Sequence, residues 1–527
     1  MPDKVLKNIK PRKYQQEIYE NCKDKSCLVV LPTGIGKTLI ALMLSIYTQK
    51  KHPASKTLFL APTRPLAEQH LSYFKKNLPE LFAELTLFTG KIPAEKRKEL
   101  WDKSDIIFST PQCIGNDLKK ELYNLGEVSL LIEDECHKCL KNYAYTYVAQ
   151  KYKEQSKNSK VLGLTASPGV DKQTIKQISQ NLGIESIEIR TRESDDVKEY
   201  LQELKFEIIK LDFPSEIKEI VEIIRTFYQR KIEELKNRKV LFEPPTKTNI
   251  LKLQSKLMAM ISNGNRNFNL LAAVSASAQS LKLSHLIELL ETQTLSSAMD
   301  YMKSLFEQAK ENKSRAVIQI TKSREFNLVY IKLTELLSRK IEHPKIQKIK
   351  ELIQKSINEN PKNKTIIFSQ YRNTVSKLSE ELNKIPNIKS KVFVGQAKKE
   401  KGEKGLSQKE QQEIMHEFRE GRINVICATS IAEEGLDIPE VNSVIFYEPI
   451  PSAIRKIQRA GRTARLMKGN LIILMTKNTL DEIFHYTSMA KERKMHSSIA
   501  SIKKDLDNGI PLYEKDKEKT EEQKKLF

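Results

Sequence analysis

A chain of 527 residues is too long for one core, and 39% hydrophobic with 30% charged residues describes a globular protein with a polar surface. A formal net charge of +23 points to a polyanionic partner, of which nucleic acid is the commonest. Six scattered cysteines, an N-terminus (MPDKVLKNIK) with no apolar signal core, and no run near the roughly 18 apolar residues of a membrane span exclude a disulfide scaffold, a secreted chain and a transmembrane one. The expectation is a soluble, intracellular, cytoplasmic protein.

In chain order, the first third alternates short apolar runs with helix-length amphipathic stretches. SCLVVL (26–31), TLFLA (57–61), DIIFST (105–110), VSLLIED (128–134) and KVLGLT (160–165) read as buried strands of a parallel sheet with crossover helices. From Ser215 to Lys340 apolar residues recur every three or four positions, which predicts helices broken at Pro244–Pro245 and again at NGNRN (263–267). TIIFS (365–369), KVFV (391–394), NVICAT (424–429), SVIFYE (443–448) and NLIILM (470–475) then restore the strand pattern. The fold class is α/β, with a helical bundle inserted between two parallel-sheet domains. The boundaries fall at 1–205, 206–342 and 343–498, leaving a charged tail, 499–527, expected to be disordered. The insert is expected to be separable, each α/β domain having its own core.

LPTGIGKT (31–38) follows the first strand and opens a helix. Its glycines let backbone N–H groups turn inward around a phosphate, and the helix N-terminus adds positive dipole. Lys37 would reach the β- and γ-phosphates and the Thr38 hydroxyl would bind magnesium. The strict pattern wants glycine at position 31, where this chain has leucine.

LIEDECHKCL (131–140) allows two readings. Cys136, His137 and Cys139 could serve zinc, but a tetrahedral site needs four ligands and no second pair is spaced to complete it. The preferred reading makes Asp134 a magnesium ligand and Glu135 the residue that polarises attacking water, with Cys136 and Cys139 as packed thiols. LGLTASPG (162–169) ends another strand with Thr165 and Ser167, whose hydroxyls could bond the carboxylates and His137; on its own the stretch reads better as a simple turn before Pro168. IQRAGRTAR (457–465) places Arg459, Arg462 and Arg465 on one helical face. That cluster suits a triphosphate whose charge spreads in the transition state, and a basic nucleic-acid face is the competing reading. With Lys37 and Glu135 on one domain and the arginines on the other, hydrolysis would require domain closure.

TGIGKT, APTRPLAEQH (61–70), STPQ (109–112), DECH (134–137), TAS (165–167), ATSIAEEGLDIP (428–439) and QRAGRTAR (458–465) stand in the order of the superfamily 2 helicases. FVGQA (393–397), GLSQKEQ (405–411) and FYEPIPSAIRKIQRAGRTAR (446–465) resemble the clade of archaeal Hef, Fanconi anaemia group M and Mph1 proteins. The resemblance implies two RecA-like domains and an ATP-dependent helicase or translocase using ATP and Mg2+ on forked or branched DNA. It implies that Gln15 reads adenine, that Thr33, Gly34, Gly36, Lys37, Thr38, Gly435 and Asp437 contact nucleotide, and that Thr38 and Asp134 hold the metal. Glu135, Asp134, Lys37, Arg462 and Arg465 would be catalytic. Arg64, Thr110 and Thr429 match positions that touch the nucleic-acid backbone, and His137, Thr165 and Ser167 would couple nucleotide state to movement.

Hef proteins carry a nuclease after the helicase, and 470–527 shows no nuclease signature. QKKLF (523–527) resembles the start of a sliding-clamp-binding peptide. A double-stranded RNA translocase and a non-catalytic nucleic-acid clamp are the competing functions. Oligomeric state is not legible.

Overall fold

The computed structural model describes residues 5–169, 171–191, 194–200, 204–265, 267–395, 405–429, 441–450, 469–508 and 510. Two parallel sheets organise it. The first comprises β1 (Cys27–Val30), β2 (Lys56–Leu60), β3 (Leu85–Phe88), β4 (Ile106–Ser109), β5 (Val128–Asp134), β6 (Val161–Thr165) and β7 (Ser186–Ile189), in the order β3-β4-β2-β5-β6-β1-β7. α1 (Lys13–Cys22), α2 (Lys37–Lys51), α3 (Arg64–Asn77), α4 (Ala94–Lys103), α5 (Pro111–Lys119), α6 (Ala144–Gln155), α7 (Lys172–Leu182) and α8 (Asp195–Lys198) accompany it. Strands β1, β2, β4, β5 and β6 are buried along their whole length, as their unbroken apolar runs require of a sheet covered on both faces.

β8 (Leu204–Leu211) leaves this first lobe and joins the second sheet. The insert follows as α9 (Ser215–Asn237), α10 (Lys247–Ser262), α11 (Phe268–Thr292), α12 (Leu295–Lys310), α13 (Arg315–Lys322) and α14 (Arg324–Ser338). The second lobe continues with α15 (Pro344–Glu359), β9 (Thr365–Phe368), α16 (Arg372–Leu382), β10 (Ser390–Phe393), α17 (Gln408–Arg419), β11 (Val425–Ala428), β12 (Ser443–Phe446), β13 (Gly469–Thr476) and α18 (Leu480–Asp507). Its sheet order is β10-β11-β9-β12-β13-β8, parallel throughout.

The ten strands read from sequence are present, as are both breaks in the helical region. Three boundary expectations change. First, residues 204–211 are a strand, paired over their whole length with β13, so the insert starts at α9 and not at 206. LKFEIIKL mixes charged with apolar residues, alternating from Leu204 to Ile208, as suits a strand at a sheet edge. Second, the helix ending the second lobe runs on through 499–507. Met495, Ile499, Ile502 and Leu506 form one stripe at helical spacing and pack into the first lobe's core beside Ile175 and Ile178. A stripe that narrow is masked by the charges around it. Third, the insert is welded to lobe 2. Lys345 and Asp481, both fully buried, pair at 2.6 Å, and Lys345 Nζ also donates to the carbonyl of Thr292 at the end of α11. Glu291 accepts from the Leu480 N–H at 2.8 Å and pairs with Arg225. Excising the insert would therefore uncover the buried Lys345–Asp481 pair and take away the acceptors of Lys345 Nζ and of the Leu480 N–H.

Gly435, Asp437, Arg459, Arg462, Arg465 and the QKKLF segment lie outside the described residues. Among the described residues, no helix is long and apolar enough to cross a membrane.

Candidate active site

The loop between β1 and α2 takes its shape from two glycines. Gly34 has φ +86° and Gly36 φ +84°, a left-handed conformation costly for any residue with a Cβ. Gly36 is also the N-cap of α2, with no side-chain cap on the helix's first N–H groups. A Cβ on Gly36 would fall 2.2 Å from Gln15 Nε2. Gln15 reaches this loop from α1: its Nε2 donates to the Ile35 carbonyl at 3.2 Å, while its Oε1 accepts from the Arg12 N–H at 2.9 Å. Tyr14 Oη donates to the same Ile35 carbonyl at 2.6 Å. Thr33 Oγ1 is buried without a protein partner. An open helix N-terminus, a glycine-kinked loop, a lysine and an unpartnered hydroxyl fit a polyphosphate.

Asp134 is the last residue of β5, held there by pairing with Leu164 of β6 and by Tyr145 Oη, which donates to its carbonyl at 2.6 Å. Glu135 then takes φ +51°, a left-handed backbone in a non-glycine residue, where the chain leaves the sheet for a one-turn helix, Cys136–Lys138. Such strain persists only where surrounding structure fixes it. Burial alone would raise the pKa of both carboxyls. For Asp134 the hydrogen bond from His70 and the charge of Lys37 outweigh it; for Glu135 Lys37 and His137 do. Both are held below the usual carboxylate range, and both stay ionised at neutral pH. Lys37 Nζ also donates to the Leu31 carbonyl at 3.4 Å.

The neighbouring Glu133 shows the opposite case. It faces the other side of the sheet, fully buried, with neither carboxylate oxygen hydrogen-bonded, and burial pushes its pKa well above the normal value. It is a core residue whose burial favours the neutral acid. Cys136 and Cys139 sit in the apolar core, and burial raises both thiols. Cys136 Sγ lies 3.1 Å from where a Cβ on Gly163 would stand, so the site needs a small residue there.

The three expected coupling residues form one chain of contacts. His137 Nδ1 lies 3.3 Å from Glu135 Oε2 and 3.1 Å from Thr165 Oγ1. Thr165 Oγ1 accepts from the Ser167 N–H at 3.0 Å, and Ser167 Oγ donates to Met495 Sδ of α18 at 2.8 Å. The turn before Pro168 thus also carries a continuous line of contacts, which ends on a helix that begins in lobe 2.

Of the candidate backbone-contact residues, Arg64 opens α3 and pairs with Glu68 at 2.6 Å, Thr110 is the N-cap of α5, and Thr429 lies buried at the end of β11, its N–H on the Phe393 carbonyl. Arg64 and Thr110 therefore stand on lobe 1, and Thr429 stands on lobe 2.

Sequence reasoning missed His70. It lies on α3 among charged residues, yet it is buried, with Nε2 3.0 Å from Asp134 Oδ2 and Nδ1 3.4 Å from Thr38 Oγ1. The signal available was its position closing APTRPLAEQH, whose helical spacing turns Ala67, His70 and Phe74 to one buried face.

Comparison with known proteins agrees with this arrangement. Residues 8–170 match the family model "Type III restriction enzyme, res subunit", 344–467 match "Helicase conserved C-terminal domain", and 216–343 match a helical-bundle model of RNA helicases. A Methanocaldococcus jannaschii protein described as a candidate ATP-dependent RNA helicase is 39% identical over 93% of this chain and 60% of its own length. The ATP-dependent DNA helicase mph1 of Neurospora crassa is 31% identical over 90% of this chain and 42% of its own. The chain therefore spans less than two thirds of the length of these relatives. The crystal structure of the Pyrococcus furiosus Hef helicase domain is 41% identical, with a TM-score of 0.70 over 92% of this chain and 100% of that one. Two RecA-like lobes, a helical region between them and a Hef helicase domain matched along its whole length lead to one assignment: the chain belongs to the Hef clade of superfamily 2 ATP-dependent helicases.

Proposed function

We propose that the chain hydrolyses ATP with Mg2+ and uses the cycle to move on forked or branched DNA. The observation that carries the ATP half is the convergence of Lys37, Asp134 and Glu135 on a loop with two left-handed glycines. In this reading Lys37 and the loop N–H groups hold the phosphates, and Thr38 with Asp134 would hold Mg2+, which neutralises phosphate charge when bound. Glu135, ionised and tethered to His137, accepts a proton from the attacking water. Gln15 turns from its loop contacts to the adenine edge. From lobe 2, Gly435 and Asp437 touch nucleotide and Arg462 and Arg465 reach the phosphates on closure. Arg64, Thr110 and Thr429 then follow one strand across both lobes, and phosphate contacts of that kind read no sequence.

The reading of forked or branched DNA is supported by the far end of the insert. Between Glu243 and Glu288 there is no Asp or Glu, and Lys252 and Lys256 are exposed on α10, while Lys247 at the start of that helix is paired with Glu288. On the same hairpin Phe268 is 82% exposed and Phe242 86%, with Leu251, Met258 and Leu271 also exposed. Lysines beside exposed aromatics suit phosphates flanked by unstacked bases, as at a branch point. The hairpin can be tested without excising the insert. Lys252→Glu with Lys256→Glu and Phe268→Ala should lower the ratio of fork to single-strand binding constants while basal ATPase persists. An unchanged ratio would assign substrate choice to the lobes alone. Stimulation of ATPase by fork, Holliday junction, duplex DNA and duplex RNA separates this reading from an RNA translocase. Affinity should fall with salt at a log–log slope of about −0.9 per phosphate contact.

A further inference from the structure

We propose that His70 is a positioning residue for the cation end of the nucleotide site; this rests on the reading of Thr38 and Asp134 as the Mg2+ ligands. Both of its ring nitrogens are committed to those two side chains, Nε2 to Asp134 Oδ2 at 3.0 Å and Nδ1 to Thr38 Oγ1 at 3.4 Å. The chemistry of the partners fixes the tautomer. An ionised carboxylate only accepts, so Nε2 carries the proton, and in the neutral ring Nδ1 is then the acceptor. The Thr38 hydroxyl must then turn its hydrogen toward the ring, which leaves its oxygen lone pairs for a cation. The same ring holds Asp134 by one oxygen and so sets the rotation of the carboxylate.

The ring is itself held. It lies 4.4 Å from the Phe59 ring, which stacks on Phe108 at 5.3 Å and meets Phe74 edge-on at 5.8 Å. Phe59 is on β2, Phe108 on β4 and Phe74 on α3, so two strands and the histidine's own helix form the wall. A histidine that only filled the core would need one polar partner, and a backbone carbonyl would serve. This one bridges two side chains that come from different elements and share a single proposed ligand. Outer partners of this kind orient metal ligands and tune their affinity.

The test uses the full chain and a fluorescent ADP analogue, titrated with Mg2+ and, separately, in EDTA. His70→Phe keeps the aromatic packing and removes both nitrogens. It should raise half-saturating Mg2+ about 10–100-fold, leave affinity in EDTA within about twofold and leave the melting temperature in place. His70→Gln carries a donor and an acceptor on one amide and should recover part of the loss; it also provides the reading if the phenylalanine variant does not fold. Wild-type Mg2+ dependence in the variants would overturn the proposal, as would an equal loss of affinity in EDTA. Thr38→Ala and Asp134→Asn are run alongside. If neither alters Mg2+ dependence, the ligand assignment itself fails, separately from the role of His70.

Discussion

The two lobes each send a buried strand through a short loop into a helix, and the loops have opposite fates. In lobe 1 the loop from β1 to α2 bends through left-handed Gly34 and Gly36, caps its helix with no side chain and buries the Thr33 hydroxyl without a partner. In lobe 2 the loop from β9 to α16 has no glycine and is satisfied from within. Ser369 Oγ donates to Gln293 Oε1 at 3.1 Å, Glu448 accepts from the Gln370 N–H at 2.6 Å, and Tyr371 Oη donates to Glu288 at 2.8 Å. Gln293 and Glu288 belong to the insert. The same strand–loop–helix connection therefore makes a ligand cradle where its polar groups are left wanting, and a socket for a neighbouring domain where they are met. The insert thus behaves as an arm of lobe 2.

The sharpest way to break this contrast is in the cradle. Glu135→Gln should reduce ATP hydrolysis by about 10²–10⁴-fold and still bind nucleotide, because the loop and Lys37 are untouched. Lys37→Ala should lose hydrolysis and affinity together. Steady-state turnover with nucleotide binding separates the two. Wild-type turnover in Glu135→Gln would remove that residue as the base.

In the socket the expected loss is of stability and not of turnover. Lys345→Met leaves the Asp481 carboxyl buried without its cation, and breaking such a pair costs about 3–5 kcal/mol. Lys345→Met with Asp481→Asn removes both charges, keeps an acceptor for the Thr476 N–H, and should restore most of the melting temperature. If the single variant melts like wild type, neither the pair nor the Lys345 bond to the Thr292 carbonyl contributes to holding lobe 2 and the insert together.

The same contrast explains what was legible in sequence. The cradle is written in residue types that chemistry demands at fixed spacing, so Lys37, Thr38, Asp134 and Glu135 were readable. Buried parallel strands were readable because burial on both faces forces unbroken apolar runs. The socket was not, since Lys345, Glu291 and Asp481 look like surface charges until tertiary packing buries them. β8 hid for a related reason: as an edge strand it alternates, and next to a helical region it reads as more helix. His70 hid because its partners lie 32 and 64 residues away. Local pattern carries backbone conformation and spaced motifs, and it carries little of the long-range polar pairing that joins domains.

A smaller effect sharpens the role of loop shape. Gly36→Ala puts a Cβ into a left-handed position, at about 1–2 kcal/mol, and against Gln15 Nε2. The steric share should vanish in a Gln15→Ala background, while the backbone share remains. Thermal melts of the two singles and the double measure this. Full additivity would mean that Gln15 does not press on the loop.

The smallest effects give the cleanest separation of cradle from socket, because they remove one hydroxyl from each. Ser369→Ala deletes a donor whose acceptor, Gln293 Oε1, is buried and shared with Thr374 Oγ1 at 2.8 Å. The loss should be about 0.5–1.5 kcal/mol of stability, with nucleotide affinity unchanged. Thr33→Val deletes a hydroxyl that has no protein partner, so nothing buried is left unsatisfied and the melting temperature without nucleotide should stay or rise slightly. Its cost should appear only when nucleotide is added, as weaker binding. The two variants are thus expected to trade places between two simple assays. If Thr33→Val lowers stability without nucleotide, its hydroxyl serves the fold, and the cradle is as self-satisfied as the socket. If Ser369→Ala weakens nucleotide binding, the lobe 2 loop faces the ligand too, and the division between the lobes fails.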